Sequence, residues 1–232
     1  MSLESELNEQ VASIFRQQWT ERDGDKVPDS EDLKLTNDAV RLDATVLYAD
    51  MADSTVLVDS ETSQFAAEVY KAFLHCAAKI VRSEGGEITA YDGDRLMGVF
   101  IGTTKNTSAG RAALKIHHAR RNIINPAIKN QYTTKTYQLQ HVVGIDTGKI
   151  FVARTGIRGA NDLVWVGRPA NYAAKLCTLP ADFASRITGD VYDMLHDSVK
   201  FSNGTNMWEE RTWTAMGGRR IYRSNWWWEN LP

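Results

Sequence analysis

The sequence predicts a mixed α/β fold, an antiparallel-rich sheet with flanking helices, on three observations. Strand-type apolar runs and helical patterns follow one another in the order β-α-β-β-α-β. The two central strands are joined by Asp92-Gly93-Asp94, and Asp-Gly between such runs is a strong hairpin signal. With 43% hydrophobic and 24% charged residues, 232 residues can bury one core, which excludes wholesale disorder.

Residues 1–40 form an extension. Leu3, Leu7, Val11, Phe15 and Trp19 recur every fourth position and share one helical face, which predicts a helix packed on the main domain or on a second subunit. The polar stretch ERDGDKVPDSEDLK reads as a linker, and the main domain spans about 41–223. ATVLYAD (44–50) is a buried strand ending in a carboxylate. Asp53 and Ser54 are N-cap types; the helix after them buries Phe65, Val69, Phe73 and Ile80 and stops at Gly85-Gly86. EITAYDGDRLMGVF (87–100) is the hairpin, and a second helix covers about 107–129. QLQHVVGIDTGKIFVAR (138–154) reads as a further antiparallel pair turning near Asp146-Thr147-Gly148. LVWVG (163–167) is a strand, and RPANYAAKLCTL (168–179) a helix with Pro169 in its first turn. Short elements lead to Arg223, and residues 224–232 form a tail carrying Trp226, Trp227 and Trp228, read as a packed edge in preference to a membrane or partner anchor. This order predicts a ferredoxin-like α/β sandwich.

Charge narrows the function. Lys and Arg number 27 against 29 Asp and Glu, a net charge of -2, so no global basic field favours nucleic acid and any anionic ligand needs local charges. Cys76 and Cys177 form no Cys-x-x-Cys pair, which speaks against structural zinc and suits a reducing cytosol. No apolar run reaches membrane-span length and the opening MSLESELNEQ has no signal-type segment; the expectation is a cytoplasmic protein without a membrane partner.

Asp50 at a strand end and Asp94 at a hairpin tip can meet at one sheet edge, an oxygen-rich arrangement suited to Mg²⁺ or Mn²⁺. The helix after Asp50 adds N–H groups and a positive dipole end beside them. Four segments, VLYADMADST, GGEITAYDGDRLMGVF, HVVGIDTGKIFVARTG and VWVGRPANYAAKL, stand in an order that resembles the catalytic domain of class III nucleotidyl cyclases over about residues 41–223. The resemblance implies that Asp50, Asp94 and the Met51 carbonyl hold two divalent metals, Mn²⁺ or Mg²⁺, per site. It implies that Asn171 orients the ribose and that Lys175 stands where the family has a charge-stabilising arginine. Lysine supplies the charge without the two-pronged hydrogen bond. Arg186 matches a triphosphate-binding arginine, and either Arg219 or Arg220 lies near the family's final-strand phosphate contact.

The family's purine-selecting positions are Ala90 and Val164 here, an apolar pair unable to read a base edge. Tyr48 replaces a phenylalanine two residues before Asp50 and, by period-two alternation, shares its face. Its added bulk and its hydroxyl, which both donates and accepts, favour a pyrimidine, with Arg95 and Thr89 as further candidates near the base. In these departures the chain resembles the pyrimidine cyclases of the bacterial Pycsar anti-phage system, which make cyclic UMP or cyclic CMP. That implies UTP or CTP as substrate, UTP favoured, and a product that activates a separate effector. It also implies a homodimer with sites at the subunit interface, one protomer bringing Asp50, Asp94 and Arg186 and the other Tyr48, Asn171 and Lys175. Two readings compete: an adenylate or guanylate cyclase with an atypical pocket, and a degenerate module that only binds nucleotide.

Overall fold

A computed structural model describes residues 2–229. Its strands are β1 (Thr20–Asp23), β2 (Asp38–Met51), β3 (Glu87–Asp92), β4 (Arg95–Phe100), β5 (His141–Ile157), β6 (Ala160–Val166), β7 (Ser185–Thr188), β8 (Phe201–Ser202), β9 (Thr205–Asn206), β10 (Glu209–Trp213) and β11 (Arg219–Ser224). The helices are α1 (Leu3–Arg16), α2 (Ser54–Ser60), α3 (Ser63–Ser83), α4 (Lys105–Ala119), α5 (Asn125–Gln131), α6 (Arg168–Cys177), α7 (Gly189–Met194) and α8 (Asp197–Lys200). Among the described residues one sheet runs in the order β10-β11-β7-β5-β2-β4-β3, with β1 added beside β2 and β6 beside β5, while β8 and β9 pair separately. All neighbours in the large sheet are antiparallel except β1 with β2 and β5 with β7.

Alternation along β2 divides the core. Leu47 and Ala49 join Leu96, Phe100, Val143 and Ile145 under α3 and α4, where Phe65, Val69, Phe73 and Ile80 are buried as their spacing predicts. Val46 and Tyr48 face the other way, with Met97, Val152 and the α6 alanines Ala170 and Ala173.

Three local expectations change. Asp146-Thr147-Gly148 is no turn: β5 pairs continuously with β2 from His141 opposite Met51 to Ala153 opposite Ala39, and the reversal comes at Gly159, with φ +85°. The polar groups that suggested a turn find partners within the sheet: Asp146 Oδ1 accepts from Thr188 Oγ1 at 2.6 Å and Thr147 Oγ1 meets Thr45 Oγ1 at 2.9 Å, while Asp146 Oδ2 has no hydrogen bond among the described residues. The helix after Asp50 is two helices, because Glu61 is extended and Thr62 starts α3 by accepting from the Phe65 N–H. α2 therefore has only seven residues, Asp53 lies in the left-handed region at φ 56° without a capping bond, and the expected anion cradle is reduced to one short helix. The stretch read as a linker also begins inside the sheet: β1 pairs with β2 from Thr20 opposite Asp38, and Arg22 binds the Asp38 carboxylate at 2.7 Å.

α1 buries none of its residues, and Leu3, Leu7, Val11 and Phe15 are all exposed. Asn37 Nδ2 donates to the carbonyls of Ile14 and Gln17 at 2.8 Å, and Trp19 meets Phe151 edge to face. The C-terminal tryptophans lie along α4. The Trp228 N–H donates to the Leu114 carbonyl at 3.3 Å, and the Arg121 guanidinium sits 4.1 Å over the Trp227 ring. His117 Nδ1 donates to the Trp226 carbonyl at 3.2 Å, and its ring lies 5.7 Å from that of wholly buried His141, neither of whose nitrogens has a partner among the described residues.

Burial and the neighbouring Arg120 push His117 down to about 4 from 6.5, and burial, then His117, push His141 well down. Between the folded and unfolded values the unfolded chain binds more protons, so stability falls as pH drops from 6.5 toward 4. We expect His117 alone to cost about 2 kcal/mol by pH 5, with His141 adding to it. Thermal melts at pH 7.5 and pH 5 check this, and the paired substitution His117→Gln with His141→Leu should flatten the slope.

Candidate active site

Asp50 is the penultimate residue of β2 and stands opposite Arg95 in β4. Gly93, at φ +61°, makes the tight reversal between β3 and β4 and returns Asp94 to the end of β2, where the Met51 N–H points to the Asp94 carbonyl at 3.4 Å. Burial, and then the negative charge of Asp94, raise the Asp50 carboxyl to about 6. Arg95 opposes this, yet its guanidinium is spent on Asp92, at 2.6 and 3.2 Å, and on the Tyr48 ring at 5.5 Å. Neither Asp50 nor Asp94 has an ion-pair partner among the described residues. Two neighbouring, mutually repelling carboxylates without a counterion suit a hard cation. Among the described residues no group of three or more His, Cys, Asp and Glu side chains is gathered for a metal, so the other ligands would be backbone oxygen, water and substrate. The Met51 side chain is buried in the core, leaving its main chain at this edge.

A row of residues crosses the sheet beside this pair. Arg223, Arg186, Gly144, Tyr48, Met97 and Ala90 stand opposite one another on β11, β7, β5, β2, β4 and β3. Tyr48, Arg186 and Ala90 therefore share one face, with Asp50 two residues further along it. The Tyr48 hydroxyl, expected to reach a base, donates here to the Met97 sulfur at 3.1 Å, a weak acceptor that a better one would displace. Burial raises the Tyr48 phenol above its ordinary value, against the pull of Arg95, so it stays a donor at neutral pH. Arg186 is buried and already engaged, donating to the Pro180 carbonyl at 2.5 Å and Asp182 at 2.6 Å, while its Nε has no partner among the described residues. Val164 does not join the row: it pairs with Ala153, which pairs with Ala39, nine residues back along β2 from Tyr48. Thr89 sits at a β-bulge with its hydroxyl buried and without a partner among the described residues, beside a cavity of about 570 Å³ that Leu163 also lines.

α6 crosses this face closely. A Cβ on Gly144 would lie 2.1 Å from the Ala173 carbonyl oxygen, so glycine is required there. Ala170, Ala173, Leu176 and Cys177 form the inner face of the helix. Asn171 and Lys175, two residues before and after Ala173, lie about 200° around from it and are exposed. They point away from the sheet that carries their own Asp50, and among the described residues Lys175 Nζ meets the Met216 sulfur alone, at 3.8 Å. Of the two C-terminal arginines, Arg219 lies on the α6 side, 5.2 Å from the Tyr172 ring. Arg220 alternates to the other face, paired with Asp193.

The buried cluster of Asp146, Thr188 and Arg168 at the start of α6 was missed in the sequence. The available signal was a carboxylate in the middle of the apolar run HVVGIDTGKI.

A sheet carrying two carboxylates at one edge, with a polar helix laid across the neighbouring strands, is the architecture of class III nucleotidyl cyclases. The guanylyl cyclase Cya2 superimposes with a TM-score of 0.67 at 16% identity, over 82% of this chain and 95% of that one. The adenylyl cyclase CyaB from P. aeruginosa does so with a TM-score of 0.64 at 21% identity, over 84% and 99%. Within this class the chain belongs to the uridylate cyclase family. It is 52% identical over 229 residues to the uridylate cyclase of Xanthomonas perforans, covering 98% of this chain and 99% of that protein. It is 51% identical over 230 residues to that of Burkholderia cepacia, again covering 98% and 99%. No protein-family model matches the chain. Among the described residues no helix is long and apolar enough to cross a membrane.

Proposed function

We propose that the chain converts UTP to 3′,5′-cyclic UMP and pyrophosphate, as a homodimer whose two sites each draw on both subunits. The observation that carries this reading is the near-full-length identity, 52% and 51%, to proteins named uridylate cyclase. In the reaction the ribose 3′-oxygen attacks the α-phosphorus, the bond to the bridging oxygen breaks, and pyrophosphate leaves. Asp50, Asp94 and the Met51 carbonyl would hold two Mg²⁺ or Mn²⁺ ions. When bound, these acidify the 3′-hydroxyl and neutralise the leaving group. Tyr48 meets the base, exchanging the Met97 sulfur for a uracil acceptor, while Ala90 and Val164 leave no purine-reading group in place. Arg186 is a phosphate donor that must exchange Asp182 for the triphosphate, and Arg219, on the α6 face, is the better placed of the terminal pair.

From the partner subunit come Tyr48 for the base, Asn171 to orient the ribose and Lys175 to stabilise charge on the reacting phosphate. The product serves as a second messenger in anti-phage defence, acting in the cytoplasm on a separate effector. The test is to incubate purified protein with ATP, GTP, CTP and UTP in the presence of Mn²⁺ and to separate the products. Cyclic UMP should dominate. A dominant cyclic CMP peak reassigns the chain as a cytidylate cyclase, and a dominant cyclic AMP or cyclic GMP peak overturns the pyrimidine reading. Absence of pyrophosphate release by folded dimer leaves a nucleotide-binding module.

A further inference from the structure

The first turn of α6 is held from three sides by one side chain. Arg168 Nε lies 3.2 Å from Asp146 Oδ2, and its Nη2 donates to the Thr147 carbonyl at 2.8 Å and to Asp190 at 2.5 Å. Asp146 is wholly buried on β5, and its other oxygen accepts from Thr188 Oγ1 on β7 at 2.6 Å. The same guanidinium lies 5.8 Å from the ring of Tyr172, which also meets Arg219 at 5.2 Å and Trp213 at 5.6 Å. The space these residues enclose is about 80 Å³, too small for a nucleotide, so the cluster is not a second ligand site.

Resting on the cyclase reading above, we propose that Arg168 is a positioning residue that locks the rotation of α6 on the sheet and thereby fixes where Asn171 and Lys175 are presented. An ion pair whose carboxylate is wholly buried and whose guanidinium is 35% exposed adds little stability over a well-packed apolar pair of similar volume; what it supplies is registry. Apolar contacts tolerate small slides and rotations. A planar fork bound to acceptors on both β5 and α7 does not. Asn171 and Lys175 follow Arg168 by three and seven residues, so a turn of the helix start moves both side chains. Misplacement of a reacting group by about 1 Å can cost on the order of 100-fold in rate.

The experiment compares Arg168→Lys, Arg168→Met and the double variant Asp146→Leu with Arg168→Met. The readouts are kcat and KM for UTP, melting temperature, and amide hydrogen exchange along α6. We expect Arg168→Met to lower kcat by roughly 30-fold while KM stays within about 3-fold, and Arg168→Lys to fall between it and the native chain. The double variant should regain most of the melting temperature lost in Arg168→Met, short of the part that goes with the buried Thr188 hydroxyl losing its acceptor, but not the native kcat. Exchange at residues 171–175 should quicken in Arg168→Met and leave α3 unchanged. Recovery of kcat together with melting temperature in the double variant would mean a purely structural role and overturns the proposal, as does an unchanged kcat in Arg168→Met. If the native chain forms no cyclic nucleotide, the cyclase reading fails by itself. The exchange measurement still decides the clamp, since unchanged α6 exchange in Arg168→Met overturns it.

Discussion

Asp50→Asn is expected to abolish cyclic nucleotide formation, lowering kcat by at least about 10³-fold, while the metal-free chain becomes no less stable than the native one. The two effects have one cause. Asp50 is partly buried beside Asp94 with no cation to neutralise it, and its carboxyl is raised to about 6 where an unfolded chain holds it near 3.8. A folded-state value above the unfolded one means that the ionised carboxylate weakens the fold above about pH 6. The full shift corresponds to about 3 kcal/mol, and solvent screening at this partly exposed edge brings it to about 1–2 kcal/mol. Asparagine keeps the shape and removes the charge.

Mn²⁺ should reverse the order. Raising its concentration should raise the melting temperature of the native chain by mass action and leave Asp50→Asn nearly unmoved. A native chain whose melting temperature ignores Mn²⁺, together with an Asp50→Asn chain that is active, would remove the carboxylates from the site. An Asp50→Asn chain melting well below native without metal would contradict the repulsion argument instead.

The carboxylate pair was legible in the sequence because local signals fixed both members. An apolar run ending in aspartate places Asp50 at a sheet edge, and Asp92-Gly93-Asp94 makes a turn almost regardless of context. Spacing likewise fixed the buried face of α3, since Phe65, Val69, Phe73 and Ile80 have one solution on a helix. Asp146-Thr147-Gly148 misled for the complementary reason. Its residues favour a turn locally, but their partners, Thr45, Arg168 and Thr188, are distant in sequence and become visible only in the sheet. The apolar stripe of α1 could be read, but its packing could not, because none of the described residues buries it. Val164 illustrates the same limit: the sequence names it only as the counterpart of a family position, and strand pairing within one chain sets it opposite Ala153, apart from the row that carries Ala90 and Tyr48.

That separation, and the outward set of α6, bear on the second large effect. Mixing Asp50→Asn chains with Lys175→Ala chains, each inactive alone, is expected to restore activity. Lys175 lies on the side of α6 opposite Ala173, whose carbonyl rests on Gly144, so its ammonium faces away from its own Asp50. If each site takes its carboxylates from one subunit and its α6 side chains from the other, the heterodimer holds one doubly damaged site and one intact site. Random exchange at equal concentration makes about half the dimers mixed, so about a quarter of native activity per chain should return. Lys175 is exposed and pairs with no acid among the described residues, so its loss should leave the fold and the melting temperature almost unchanged. A site built within one chain makes the opposite forecast, since every chain in the mixture would carry one lesion and every site would be dead. Tagging the two variants differently and purifying the doubly tagged dimer separates the outcomes: an inactive, folded heterodimer rules out the shared site.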